Sequence, residues 1–390
     1  MNFILISPAF PHNFKPFAYQ LKKQGVNVLG IGDTPYSELG HQLQETLTEY
    51  YYVRDLEQVD DVKRAVAYLY FKYGKIDRIE SHNEYWLELD AELREEFNVF
   101  GAKPEEIKKT KFKSEMKKLL KKAGVPVAEG RVIHTKAELE PVLKELGLPV
   151  VAKPDNGVGS AATFRIEIPE DIEVFLNYYD ESIPYFIEEM ISSNRLGSYD
   201  GLIDQDGNIV WHTCLTYKEP PLSFIENKSD VAYVIQRDID PKLVEYGQNI
   251  VKEFGMKERF FHIEFFRMPD GDYIALEYNN RIAGNYAVDM YNFSEGIDLF
   301  AEYANIVLGQ PFQGNPDFSK QYSVGFTQRD QYDYEHRRSD ILAHYGDRVK
   351  LVERMPEAFQ ELMGNDFYAI VANTQDEVDE IIDFAHRRKQ

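Results

Sequence analysis

One cysteine, Cys214, is the whole thiol complement of this 390-residue chain, which excludes an intramolecular disulfide framework and any cysteine-based metal cluster. That scarcity fits a reducing compartment, with Cys214 expected to serve as a small buried hydrophobe. Long apolar runs are missing too. None approaches the ~20 residues of a membrane-spanning helix, and FILIS near the start is too short for a secretory leader, lacks a basic flank and runs into Pro8 and Pro11. The expectation is a soluble, cytoplasmic protein with no membrane partner. Positive charge is scarce as well: 44 Lys and Arg against 66 Asp and Glu give a formal net charge of -22. Such a field repels polyphosphate backbones, so nucleic acid is not an expected partner. A small anion can still bind where lysines, arginines or a divalent cation override that field locally.

Apolar content is ordinary at 43%, and the length predicts two to four domains, each with its own core. The first hundred residues alternate short apolar runs with helical periodicity: NFILIS, FAYQLKKQG, VNVLGIG, DDVKRAVAYLYFKYG and IDRIES. This is the pattern of a parallel α/β sheet. Gly30-Ile31-Gly32 is too incomplete for a dinucleotide site, since it follows the second strand and no third glycine completes it. KPEEIKKTKFKSEMKKLLKK, residues 103–122, reads as a helix with a lysine-rich solvated face and an inward set of Phe112, Met116, Leu119 and Leu120. A small α+β lobe follows to about residue 191, then a meander, a helix, a hairpin and a helix from about residue 296 to 308. QGNPDFSK then links to further strands and a final helix capped by Thr374 and Glu377.

The hairpin HIEFFRM–DYIALEYNN flanks Asp270-Gly271, a dipeptide suited to a two-residue type I′ turn. With that turn, Glu264 stands directly opposite Glu277, and His262 opposite Asn279. Opposed carboxylates on one sheet face are destabilising by up to ~1 kcal/mol unless a cation sits between them. The face is therefore either a solvent-exposed polar strand surface or half of a divalent-cation site made by Glu264, Glu277 and the Asn279 amide oxygen. Arg281, farther along, suits phosphate or carboxylate oxygens. In VVAKPDNGVGSAATFRIEI, the glycine-rich stretch lies between two strands. It is either a plain turn with an exposed Lys153 or a flap whose backbone N–H groups and lysine cover phosphates. YFIEEMI, residues 185–191, is either an edge strand with exposed acids or a hinge offering groups to an adenosine.

Taken in order, KSEM (113–116), AKPDNGVGS (152–160), IEEMI (187–191), FHIEF (261–265) and EYNNRIAG (277–284) resemble the ATP-grasp superfamily, particularly its carboxylate-amine ligases such as L-amino-acid ligases. Carbamoyl phosphate synthetase and biotin carboxylase are more distant relatives. The resemblance covers roughly residues 100–310. It implies an α/β and α+β multidomain ATP-grasp fold: a Rossmann-like pre-ATP-grasp domain over 1–102, a small lobe over 103–198, a large lobe with the metal site over 199–312, and a C-terminal α/β appendage over 313–390.

By this similarity Lys113 and Lys153 would contact ATP phosphates, and Gly157, Gly159 and Ser160 would form the flap. Glu188, Glu189, Met190 and Ile191 would hold adenosine. Glu264, Glu277 and Asn279 would bind Mg2+ or Mn2+, and Arg281 would steady the transferred phosphoryl group. Glu226, Arg237, His262, Asn285 and Tyr286 would border the substrates. The chain departs from the family's pattern at Asn280, where many relatives carry proline, and near Leu196 and Gly197, where many carry an acid. The implied activity is ATP-dependent joining of a small carboxylate and an amine through an acyl phosphate, with ADP and phosphate released; the appendage after residue 310 is expected to close the acceptor site or build a homodimer. The alternatives are a carboxylase or small-molecule kinase of the same fold, or a non-catalytic nucleotide-binding module.

Overall fold

The computed structural model describes residues 1–157, 162–193, 195–219 and 228–389. Strands β1 (Asn2–Ile6), β2 (Asn27–Gly32), β3 (Glu49–Tyr52) and β4 (Arg78–Glu80) form a parallel sheet in the order β3-β2-β1-β4. Its inner strands β1 and β2 are nearly all apolar because helices cover both faces. Phe3, Leu5 and Val28 pack with Phe17 and Leu21 of the helix Lys15–Lys23. Ile4, Ile6, Leu29 and Ile31 pack on the other face with Val62, Val66 and Leu69 of the helix Val59–Tyr73. Gly30 and Gly32 lie within β2, where an added Cβ would stand 2.9 Å and 2.6 Å from the Tyr50 side chain. They make room for Tyr50 rather than for a cofactor.

β5 (Gly130–Ile133), β6 (Val150–Pro154), β7 (Phe164–Ile166) and β8 (Tyr185–Glu189) form a second, antiparallel sheet in the order β5-β8-β6-β7. The strand that carries IEE is thus central in its sheet, not an edge. The third sheet comprises β9 (Leu196–Ile203), β10 (Ile209–Tyr217), β11 (Ala232–Ile235), β12 (Arg259–Arg267), β13 (Tyr273–Asn279), β14 (Tyr322–Gln328), β15 (Val349–Arg354) and β16 (Asp366–Ala372). Its order is β13-β12-β9-β10-β11-β14-β16-β15, so the last three strands extend the same sheet. Tyr199, Phe261, Ile263 and Phe265 point to one face, against the helix Pro241–Phe254. Cys214 lies in that core, and burial pushes its thiol up to about 12. Leu202, Trp211, Leu215 and Phe260 point to the other face, against the helices Ala287–Glu295 and Leu299–Val307 and the N-terminal domain. Among the described residues no helix is long and apolar enough to cross a membrane.

Three local expectations change. The lysine-rich segment is two helices, Pro104–Lys111 and Lys113–Lys122, broken at Phe112, which is extended and bridges to Asn156. Lys111, Lys113 and Lys117 are buried, so three of the segment's nine lysines point into the protein rather than to solvent. The segment after the hairpin carries the additional helix Ala287–Glu295 before the expected one. The hairpin itself turns over three residues, closed by Met268 and Asp272, with Gly271 at φ +87 where an L side chain is strained. A three-residue loop shifts the register by one relative to a two-residue turn. A β-bulge beyond Glu264, with Leu276 as the extra residue, shifts it back. Glu264 therefore pairs with Glu277 and His262 with Asn279.

Candidate active site

Three adjacent strands build a polar patch on one sheet face. β9 contributes Ser198 and Asp200, paired with Glu264 and His262 of β12, which in turn pair with Glu277 and Asn279 of β13. The His262 ring donates through Nδ1 to Asp200 and lies 3.3 Å from Glu264 through Nε2. The Ser198 hydroxyl donates to Asp200 at 2.5 Å. Burial opposes charge on His262, yet Asp200 and Glu264 hold its imidazolium up to about 9. Burial likewise opposes ionisation of Glu264, but His262 and Arg281 keep it below the usual carboxylate range. Glu277 goes the other way. Burial raises it, Lys113 only partly counteracts this, and the charge of Glu264 raises it further. Two opposed carboxylates plus a nearby amide oxygen make a hard oxygen donor set, and the strain on Glu277 is the repulsion a divalent cation would relieve.

Cations face this patch from the small lobe. Asp155 fixes them: its backbone carbonyl accepts from Lys113 N (2.9 Å), and its carboxylate accepts from the Ser114 N–H and hydroxyl, both at 2.8 Å. A carboxylate at the start of a helix satisfies orphan N–H groups and favours the dipole. Lys113 Nζ is thereby held 3.9 Å from Glu277 and 3.2 Å from the Gly157 carbonyl oxygen, and burial lowers it. Lys153 Nζ stands 2.5 Å from Glu188, whose other oxygen is 3.0 Å from Lys117. Burial would raise Glu188, but these two ammonium groups bring it down to about 2. The Glu188 side chain is thus engaged between two lysines, while Glu189 accepts the Glu129 N–H and Met190 N–H donates to the Pro149 carbonyl. Ile191 follows in the same segment, beyond the end of β8.

Arg281 is oriented from the N-terminal domain. Its guanidinium donates to Glu84 at 2.6 Å and 3.1 Å. One residue earlier, the Asn280 carbonyl accepts two hydrogen bonds from Arg259, which also reaches Glu80 at the end of β4. Asn280 thus provides the carbonyl by which Arg259 sets the turn. Ligand groups in α/β folds gather at such C-terminal strand ends.

Asn285 and Tyr286 meet the loop after β1: Asn13 donates to the Asn285 carbonyl at 2.8 Å, and the Tyr286 hydroxyl lies 3.2 Å from His12. Arg237 instead contacts Asp238, the Asn373 carbonyl and the Tyr322 ring, so its contacts lie away from the carboxylate patch. Gly159, Ser160 and Glu226 lie outside the described residues.

Sequence reading missed Lys117, Glu84 and Asp200. Lys117 had a signal, because it is four residues after Lys113 and so shares its helix face. Glu84 and Asp200 had none, since their partners are brought in by tertiary pairing.

The parallel N-terminal sheet, the four-stranded antiparallel sheet and the eight-stranded sheet together make the ATP-grasp fold. The chain belongs to the family of the carbamoyl-phosphate synthase L chain ATP-binding domain, whose model matches residues 112–314. It is 25% identical over 276 residues to the L-arginine-specific L-amino acid ligase of Bacillus subtilis, covering 66% of this chain and 63% of that protein; the chain thus spans under two thirds of that relative's length. Among solved structures it superposes on the L-amino acid ligase from Bacillus licheniformis with a TM-score of 0.74 at 16% identity, covering 98% of this chain and 97% of the other. It also superposes on one chain of the biotin carboxylase domain of Hydrogenobacter thermophilus 2-oxoglutarate carboxylase, solved as a dimer with MgADP, ADP and bicarbonate. There the TM-score is 0.70 at 17% identity, with 97% and 88% covered.

Proposed function

We propose that this protein is an ATP-dependent carboxylate-amine ligase that forms an amide-type bond between two small molecules and releases ADP and phosphate. The carrying observation is the opposed pair Glu264–Glu277, with Lys113 Nζ 3.9 Å from Glu277, the Lys153 ammonium near both carboxylates while paired to Glu188, and Arg281 beside them. Glu264, Glu277 and Asn279 would hold Mg2+, whose chemistry there is to neutralise phosphate charge. Lys113 and Lys153 would bind the phosphates of ATP, with Gly157 beside them. The backbone around Glu189, Met190 and Ile191 would take the adenosine, as the strand-to-linker position of that segment favours.

Phosphoryl transfer to a carboxylate needs charge stabilisation and exclusion of water more than it needs a protein nucleophile. Arg281, steadied by Glu84, supplies that charge beside the carboxylate pair, and His262 holds Glu264 in place. An amine then attacks the acyl phosphate, and phosphate leaves with the C–O bond's electron pair. The curated relative and the ligase of like fold support this class of reaction, and the cytoplasm suits a protein with one buried thiol.

A phosphate-release screen over pairs of amino acids and other carboxylates, with mass spectrometry of the products, tests the reading. An ADP-forming amide product is expected. A stable phosphoester would instead identify a kinase, and ATP turnover undiminished in Glu277→Gln would refute the metal assignment.

A further inference from the structure

Orphaned buried polar atoms gather at one place beyond the carboxylate patch. Asp289 Oδ2, both amide atoms of Asn285, and the hydroxyls of Tyr233 and Tyr291 are buried with no hydrogen-bond partner. Tyr233 is 3% exposed and Tyr291 1%. Interiors leave few such groups, and each one calls for an explanation.

These residues are neighbours. The Tyr233 hydroxyl faces Asn285, Asp289 and Tyr286, and the Tyr291 hydroxyl lies between Asp200 of the carboxylate patch and Tyr233. Asn13, from the loop after β1, closes the site beside Asp289 and Asn285. Burial pushes Asp289 up to about 6, and Glu353 adds negative charge beside it; only hydrogen bonds from its own backbone N–H and from Asn13 act the other way. A row of phenols also connects this place to the reactive face. Tyr217 lies near Glu264, Asp200 and Arg281, and its ring centroid is 5.9 Å from that of Tyr233. The site is thus the far end of one polar path that begins at the carboxylate pair.

The chemistry of the donors selects the ligand. An anion is repelled by Asp289 and Glu353, and a neutral group leaves a buried carboxylate unpaired, which is costly. An ammonium carries three N–H donors and no acceptor, matching the Asp289 oxygen, the Asn285 side-chain amide oxygen and the Tyr233 hydroxyl lone pair. We infer that Asp289, with Tyr233 and Asn285, binds the ammonium group of an amino-acid substrate whose carboxylate extends toward Glu264 and Glu277. The assignment rests on the ligase reading for which carboxylate is activated, but the ammonium site is testable without turnover.

The test is calorimetric titration of the full chain, without nucleotide, using L-lysine, L-arginine and ω-amino acids of two to six carbons, each beside its N-acetylated neutral counterpart. At least one cationic probe should bind tenfold or more tightly than its acetylated form, and Asp289→Asn should abolish that discrimination. Tyr233→Phe, which removes only the hydroxyl, should weaken the same probe three- to tenfold and leave the acetylated one unchanged, which keeps the test decisive if Asp289→Asn does not fold. A site that only holds water shows no preference between the paired probes. That result, binding by none of the panel, or discrimination surviving in folded Asp289→Asn would each overturn the inference. MgATP titrated into the unmodified protein in parallel tests the nucleotide reading separately.

Discussion

Replacing Glu277 with glutamine keeps the shape of β13 but removes one of two negative charges that the sheet holds opposite each other. A like-charge cross-strand pair costs up to ~1 kcal/mol. Lys113, 3.9 Å from the carboxylate, offsets part of that, yet burial and Glu264 still hold Glu277 above the usual range, so the charged form is the disfavoured one. In chelator, Glu277→Gln should therefore be more stable than the parent by roughly 1 kcal/mol, or about 2–4 °C in Tm for a domain of ordinary size. With ADP and Mg2+ the order should reverse. A ligand that binds only the native state adds about 2.7 kcal/mol at a hundred times its Kd, and under the proposed metal assignment the variant lacks one of the cation's ligands. Differential scanning calorimetry of both proteins, with ADP in EDTA and across a magnesium series, reads both effects. A variant less stable in EDTA, with an unchanged magnesium response, would refute the reasoning.

Asp90 is fully buried, and burial with the charge of Glu80 raises it from 3.8 to about 7, against Arg94 and two hydrogen bonds from Ser81. Its contribution to stability is full below 3.8 and is lost as pH rises toward about 7. Asp90→Asn should consequently gain on the parent across that window by up to a few kcal/mol, read as the difference between two urea midpoint-versus-pH curves; parallel curves would contradict it. Lys117→Met leaves Glu188 with one of its two cations, and breaking a buried pair costs about 3–5 kcal/mol. Because Lys153 remains, a loss near the low end is expected in urea unfolding, and a loss below about 1 kcal/mol would show that Lys153 suffices. Glu84→Gln frees the Arg281 guanidinium, so kcat should fall about tenfold, equivalent to ~1.4 kcal/mol of transition-state stabilisation, with little change in the KM for ATP. Unchanged kcat would mean that Arg281 needs no tether.

Much of the architecture was legible because periodicity reports burial. The two-sided apolar runs of β1 and β2 marked a parallel sheet, and the alternation of β12 and β13 marked a hairpin. The carboxylate pairing was also legible, although by two compensating errors of one residue: the loop has three residues, and Leu276 is bulged. A bulge leaves no strong mark in a single sequence, so the pairing alone could be foreseen and not its cause. The break at Phe112 was invisible for a related reason. Helical periodicity continues through it, and only the bridge to Asn156 pulls the residue into an extended conformation. Buried lysines are misread by composition, because charge density alone cannot tell Lys117 beside Glu188 from Lys118, which pairs with Glu115 at the surface. Asp289 and Tyr233 reach one another only through tertiary packing.

The contact between Glu84 and Arg281 separates two things that usually go together, the possession of motifs and the possession of a site. Every motif that marks this family in the chain lies after residue 100, whereas the carboxylate that aims its arginine comes before it. A fragment beginning at the lysine-rich helices would keep each diagnostic residue and lose the aim of one of them, so the boundary drawn by resemblance is not the boundary of the catalytic unit.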